Sequence, residues 1–529
     1  MTLKLSEEAL NWALKHAINY SDTDIFPKAF EFSAIADGWA DVKTTLQETD
    51  ILKWTVRAYR RCLVPKNSFG FRISTQLDPL DFIVFTALVW EVGGRLERQR
   101  IPAIENIVHA YRFSPADDGR MYSTEYSYRS FQASTQELCE RVKPEFVVVA
   151  DIADFFPRIY GHRVDNALES ALGVGHMHAK ALKNLISHWA VTYSYGIPVG
   201  SAASRLIAEL TIGDVDQVLL SEGIQYVRYS DDFRIFSKSK GEAYQALTLL
   251  ARTLYDNHGL TLQQNKTKIL PVEHFRYIYL RENEKKEIET LSEQFYELLR
   301  EIGIEDTYDS IEFDTLTAEH QQRLLDLNLV SILTEQVAQD EPDLSLLKFL
   351  LRRLGQVGST EPIDIIFDNL DAFVPVVRET VEYLLRLESL SDERKRLLGY
   401  KLLSSCKDPT STASSLEYTR MYLLHPFAED GGWNSADQYV RAYNESPDEF
   451  GSRELLLAMG RSSQHYWIRS RKQYLNTLSP WLRRAYIYAA SCLPTDEYKH
   501  WIRGIQAQLD PIERAVAEWA RKNPINTSQ

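Results

Sequence analysis

The clearest hydrophobic patterns lie in the first half of the chain, and their period changes along it. Leu10, Leu14 and Ile18 recur at helical spacing behind a cap at Ser6, and a second helix is expected from about Val42 to Arg61. Leu80 to Leu96 is apolar nearly all round, which predicts a buried helix. Phe146-Val147-Val148-Val149-Ala150-Asp151-Ile152 is a continuous β-prone run of strand length, so a buried central strand is expected. Helices are expected at about 162–172 and 177–193. Gly196-Ile197-Pro198-Val199-Gly200 is a small-residue turn opening a helix over about 203–218. In Gln225 to Phe236 two apolar arms flank a polar centre, which predicts a hairpin with Asp231 and Asp232 at or just after its turn. A helix over about 241–258 and a strand over 259–268 with a basic end follow.

From about residue 286 strand signals nearly vanish. Helices are expected at about 286–303, 317–338, 343–355, 373–388, 391–405, 452–461, 466–477, 480–492, 496–508 and 511–522. Ser479-Pro480 and Asp510-Pro511 each place a cap before proline at the first helical position, and Asp510 with Glu513 forms a capping-box pattern. No strict repeat is present, but paired helices with short connections predict an irregular α-solenoid or bundle.

The 529 residues are of ordinary globular composition, 44% hydrophobic and 25% charged. No run of about 18 apolar residues suggests a membrane span, and the start lacks the order of a signal peptide. Cys62, Cys139, Cys406 and Cys492 are far apart, which points to reduced thiols, a cytoplasmic location and no zinc ribbon. The net charge of −14 changes the picture more. A grip on long duplex needs a basic face, which here would have to be local.

Read alone, Asp231-Asp232 is a polar turn. With Asp151 at the end of a buried strand, three carboxylates converge if strand and hairpin are neighbours in one sheet. Such a set can hold two magnesium ions about 4 Å apart for in-line phosphoryl transfer. The glycines of the 196–200 turn let backbone approach a base or sugar closely. Lys266, Arg72 and Lys66 are candidates for triphosphate oxygens. His176-Met177-His178 has metal-like spacing but no third ligand, and reads as surface. Arg483 and Arg484 read as salt-bridge partners on a helix face.

The ordered set Arg72, Asp151-x-x-x-Phe155-Phe156, Gly196-Ile-Pro-x-Gly200-x-x-x-Ser204, Tyr229-x-Asp231-Asp232 and Gly259-Leu-x-Leu-x-x-Asn-Lys266 resembles the fingers and palm of a reverse transcriptase over about residues 60–270. The resemblance implies an α+β right-hand polymerase fold. An N-terminal helical segment (1–60) would join the fingers and palm (61–285), followed by an all-α, HEAT-like repeat domain (286–529). It assigns Asp151, Asp231, Asp232 and the carbonyl of Ile152 to Mg2+, for which Mn2+ can substitute. Phe156 becomes the aromatic gate against a ribose 2′-OH, while Phe155 packs in the core. Gly200 belongs to the nucleotide-binding turn, Lys266 lies near the triphosphate, and Arg72 is the fingers arginine, with Lys268 and Lys66 as rivals.

Arg205 stands where intron and retron enzymes have proline, and Val199 where many viral enzymes have glutamine. No thumb signal follows Lys268. This combination is similar to bacterial abortive-infection and defence-associated reverse transcriptases of the unknown group. It implies DNA synthesis from dNTPs, on an RNA template or untemplated with a single-stranded DNA product, priming on a protein hydroxyl, and homo-oligomers. Tyr122, Tyr126 and Tyr128 are the first tyrosines to test. The competing expectation is an inactive polymerase-like scaffold whose helical half binds protein or RNA.

Overall fold

The computed structural model describes residues 2–21, 25–67, 69–190, 194–280, 294–295, 297–298, 301 and 317–526. Contacts divide the chain into two units, Met1–Arg61 with Ser74–Arg281, and Cys62–Ile73 with Glu282–Gln529. Residues 1–60 therefore pack within the first unit, while 62–73 cluster with the second. The strands are β1 Arg60–Pro65, β2 Phe71–Gln76, β3 Phe146–Asp151, β4 Gln225–Tyr229, β5 Asp232–Ser237 and β6 Lys268–Pro271. β1 pairs with β2, and the other four form an antiparallel sheet in the order β4-β5-β3-β6.

The valines of β3 are buried on both sheet faces, which is why the run is uniformly apolar. Val147 and Val149 pack with Val227, Phe236 and Leu270 against Phe131, Leu138 and Cys139 of the helix Tyr128–Val142. That helix was not anticipated. Its composition is polar, but Ser127 and Ser130 form a capping box and Phe131, Leu138 and Val142 make a narrow apolar stripe. The helix Pro79–Gln99 has Asp78 as cap and Pro79 at its first turn, and is buried along most of its length.

Several boundaries differ from expectation for local reasons. The second helix ends at Glu48, because the Asp50 carboxylate draws the amides of Leu3 and Leu52 and starts a new turn at Ile51–Lys53. The helix expected over 203–218 is two, Ala202–Thr211 and Gly213–Ser221, broken at Ile212. The strand expected over 259–268 is mostly irregular. Gly259 takes a left-handed φ of 64° to end the helix Lys240–His258, Leu262 alone bridges to Ile152, and β6 begins only at Lys268.

In the second unit the helices Leu344–Gln356, Val377–Leu385, Glu417–Glu429, Glu449–Arg461, Pro480–Ala489 and Pro511–Lys522 each pack on the next, a stacked row joined by intervening helices. The Asp510–Glu513 capping box is present. The expected helix over 317–338 breaks at Asn328, which has a φ of 49°. Pro362–Asp368, Glu417–Glu429 and Ala436–Glu445 are helices the sequence reading did not include. The helix expected over 286–303 falls largely outside the described residues. No described helix is long and apolar enough to cross a membrane.

Candidate active site

The sheet joins the two carboxylate-bearing segments. β3 and β5 run antiparallel with Asp151 opposite Asp232. The β4–β5 turn is only Ser230-Asp231, between the paired residues Tyr229 and Asp232. A turn this tight needs left-handed backbone, supplied here by Ser230 at φ 55°. Beyond the ladder, the Ile152 amide donates to the Asp231 carbonyl at 3.1 Å, so the turn is tied to the end of β3. On the other edge the Gln263 amide donates to the Asp151 carbonyl at 2.7 Å. That bond brings in the turn at Gln263–Lys266, whose Lys266 Nζ lies 2.9 Å from Asp151 Oδ2. Asp151, Ile152, Asp231, Asp232 and Lys266 thus meet at one place, although 115 residues separate Asp151 from Lys266.

The electrostatics are unbalanced. Burial, reinforced by the charges of Asp151 and Asp232, pushes the Asp231 carboxyl up to about 6. Asp232 is also raised, by burial and by Asp151, against the pull of Arg234 at 3.6 Å. Burial works against the charged form of Lys266, but its hydrogen bond to Asp151 and the nearby aspartates raise its pKa overall. Among the described residues no three His, Cys, Asp or Glu side chains already stand in metal-ligating array; the ammonium of Lys266 takes one Asp151 oxygen. The donor chemistry nonetheless fits a hard divalent cation, because three carboxylates crowd one edge of the sheet and repel one another.

Phe156 and the start of the glycine turn, Gly196-Ile197, come together by backbone bonding. Asp154 at φ 46° ends the β3 segment and starts the short turn Phe155–Arg158. The Phe156 carbonyl then accepts the Ile197 amide at 3.0 Å, and Ile159 accepts Gly196 at 2.9 Å. Phe155 is buried, 2% exposed, and Phe156 half-buried against it. Gly200 has a φ of 130°, open to glycine alone in practice. Arg72 and Lys66 are exposed residues of the second unit. Lys268 is the exposed first residue of β6.

Residues 101–292 match the family model described as reverse transcriptase (RNA-dependent DNA polymerase). The chain carries a reverse transcriptase domain. It is accordingly a nucleotidyltransferase of the DNA polymerase type. No curated protein matches the chain. Among solved structures, telomerase from Candida albicans in complex with a TWJ fragment of telomeric RNA is 12% identical, at a TM-score of 0.30, over 73% of this chain and 70% of that one. Apo telomerase from Candida tropicalis is 9% identical, at 0.31, over 74% of each chain. A partial Cas6-RT-Cas1–Cas2 complex is 19% identical, at 0.25, over 48% of this chain and 42% of that one.

Within the reverse transcriptase domain the sequence reading missed the support beneath the hairpin. Arg228, buried in β4, donates through Nε and Nη2 to Asp216 at 2.7 and 2.6 Å, and through Nη1 to Glu209 at 2.9 Å and the Ser230 carbonyl at 3.1 Å. The readable signal was a charge inside an apolar run, in Tyr226-Val227-Arg228 and Leu206-Ile207-Ala208-Glu209-Leu210; Asp216, in Gly213-Asp214-Val215-Asp216-Gln217, gave none. Elsewhere, His178 bonds Glu91 at 2.6 Å and Arg483 bonds Glu513 at 2.5 Å. Arg484 is fully buried and lies 4.5 Å over Trp481, so it is a core residue.

Proposed function

We propose that the reverse transcriptase domain makes DNA from deoxynucleotides at Asp151, Asp231 and Asp232. The observation that carries this is the register of β3 on β5, Asp151 opposite Asp232 with Asp231 on the turn, inside the span matching the family model. The three aspartates, with the Ile152 carbonyl, would hold magnesium or manganese. Bound divalent ions supply activation of the attacking hydroxyl and charge neutralisation on the leaving pyrophosphate. Lys266, whose side chain is largely exposed and whose ammonium is held beside Asp151, would meet phosphate oxygens. Phe156, fixed against the Gly196–Gly200 turn, would exclude a ribose 2′-OH.

The finer reading is untemplated, protein-primed synthesis by an oligomer acting in bacterial defence against phage, with a HEAT-like helical domain replacing a thumb. Its support is the resemblance, the acidic balance and the stacked helices of the second unit. Of the three tyrosines considered for priming, Tyr122 and Tyr126 give their hydroxyls to the carbonyls of Ala202 and Ala103. Tyr128 is 45% exposed and stands edge-on to Tyr229 with ring centres 5.5 Å apart, which makes it the candidate.

The test is incubation of the protein with Mg2+ or Mn2+ and each labelled deoxynucleotide, followed by denaturing gels with and without protease. DNA growth that disappears in Asp231→Ala/Asp232→Ala supports the polymerase reading. Undiminished growth in that variant removes the site assignment. A product that stays with protein and is released by protease supports protein priming, and Tyr128→Phe should abolish the attachment.

A further inference from the structure

Two bulky or polar residues beside the hairpin hold left-handed backbone, Tyr111 at φ 50° and Ser230 at φ 55°. Such conformations persist in non-glycine residues only where the surroundings enforce them. Here each carbonyl is held by a buried arginine: Arg100 Nη1 donates to Tyr111 at 2.7 Å, and Arg228 Nη1 to Ser230 at 3.1 Å. The two guanidinium groups then meet on one atom. Arg100 Nη2 and Arg228 Nη1 each lie 2.9 Å from Oε2 of Glu209. Glu209 is fully buried on the helix Ala202–Thr211, and its Oε1 has no hydrogen-bond partner among the described residues. One turn earlier on that helix, the Arg205 guanidinium lies 5.4 Å from the centre of the Tyr111 ring, which is itself 5.8 Å from the Tyr229 ring.

We propose that Glu209 is a positioning residue of the polymerase site. Through Arg228 and Arg100 it locks the Ser230-Asp231 turn to the Tyr111 loop, so that the aspartates and the Tyr229 ring are in place before a nucleotide binds. Arg205, at the position noted as departing from the intron and retron pattern, adds a cation on the face of Tyr111 and steadies the same assembly. The catalytic consequence rests on the polymerase reading; the lock itself does not. Because both arginines share one carboxylate oxygen, neutralising Glu209 loosens both arms together, whereas altering either arginine loosens one.

The experiment is hydrogen exchange, resolved to single amides, on the full chain without metal or nucleotide. Two amides report the arms: Ile152, bonded to the Asp231 carbonyl at 3.1 Å, and Ser123, bonded at 2.9 Å to the carbonyl of Arg112, next to Tyr111. Glu209→Gln keeps the shape and removes the charge, and should speed exchange at both amides about tenfold. The helices from 480 to 522 in the second unit should be unchanged. Arg228→Lys should speed Ile152 and leave Ser123 slow; Arg100→Lys should do the reverse. These two variants carry the test if Glu209→Gln does not fold. Wild-type exchange at both amides, or acceleration spread evenly through the first unit, overturns the proposal. In incorporation assays Glu209→Gln should lower kcat with KM for the deoxynucleotide unchanged, and equal loss in both overturns the positioning role. A wild-type protein that incorporates nothing would sink the polymerase reading while leaving the exchange result to judge the lock.

Discussion

Two groups of buried charge adjoin at the β4–β5 hairpin and are handled in opposite ways. In the first, Arg228, Arg100 and Arg112 face Asp216, Glu209 and Glu97, cation against carboxylate, at 2.6 to 2.9 Å. Every cation there has a carboxylate and every carboxylate a cation. In the second, Asp151, Asp231 and Asp232 have, among the described residues, only Lys266 at 2.9 Å and Arg234 at 3.6 Å. The first group is charge-paired within the fold and makes a rigid support. The second keeps an excess of negative charge that a bound cation would offset. The difference teaches where to look for chemistry: burial of charge marks structure when the charges balance and function when they do not.

Breaking the balanced group should have the largest effect. Arg228→Met leaves the carboxylates of Asp216 and Glu209 buried with a partner gone, and frees the Ser230 carbonyl. Removing one member of a buried ion network costs about 3–5 kcal/mol. Urea unfolding should show a loss of that order. A loss below about 1 kcal/mol would mean the network does not anchor the hairpin.

His16 sharpens the comparison, because it is buried with no carboxylate among the described residues to pair it. Its Nδ1–H donates to the Gly119 carbonyl at 2.8 Å, and the ring stacks on Trp12 and Phe82. Burial first, and the charge of Arg205 as well, lower its pKa from 6.5 to about 4, so it gives up its charge instead of pairing it. The folded pKa lies below the unfolded one, so the unfolded chain binds the extra proton between pH 6.5 and 4. Stability from this residue is therefore complete above pH 6.5 and lost as pH falls towards 4, by about 3 kcal/mol. Melting temperatures across that range should fall less steeply in His16→Gln than in wild type. Parallel profiles would show that His16 does not titrate as a buried group.

How much of this was legible follows from the range of each interaction. The run 146–152 and the arms of the 225–236 hairpin announced themselves through local pattern, and the aspartates stood out at their ends. Asp151 opposite Asp232 is a strand pairing across about 80 residues, which periodicity cannot state; the family order of motifs supplied it. The helix Tyr128–Val142 was hidden by its polar face. Leu260 and Leu262 alternate like a strand, yet Gly259 and the turn at Gln263 leave Leu262 as a single bridge. The balanced network was the least legible, since Arg100 and Glu209 are 109 positions apart, Arg100 ends the charged stretch Glu97-Arg98-Gln99-Arg100, and Glu209 looks like an isolated charge in an apolar run.

The unbalanced group should respond with a smaller change of opposite sign. Asp231→Asn removes one of three mutually repelling carboxylates and a group whose charged form burial disfavours. In metal-free protein that should raise stability by about 1 kcal/mol while abolishing incorporation. A variant that is both less stable and inactive would show that the carboxylates hold the fold together, as the network does.

Lys266→Met should change stability least, by under about 1 kcal/mol, because the lysine side chain is 64% exposed and its pair with Asp151 is screened. Its value lies in what it does to the imbalance. Among the described residues Lys266 is the one group bonded to an Asp151 carboxylate oxygen, so it competes there with any arriving cation and repels it. Removing it leaves Asp151 with both oxygens open and one positive charge fewer nearby. Calorimetry on nucleotide-free protein should then show divalent binding severalfold tighter than in wild type. The same variant should need more deoxynucleotide, with a raised KM, because the cation nearest the aspartates is gone. Tighter metal with poorer nucleotide use would place Lys266 as a stand-in for the metal that is released to the phosphates on loading. Weaker metal binding would instead mean that Lys266 holds Asp151 in its ligating position, and the imbalance at the site would have to be assigned to Asp231 and Asp232 alone.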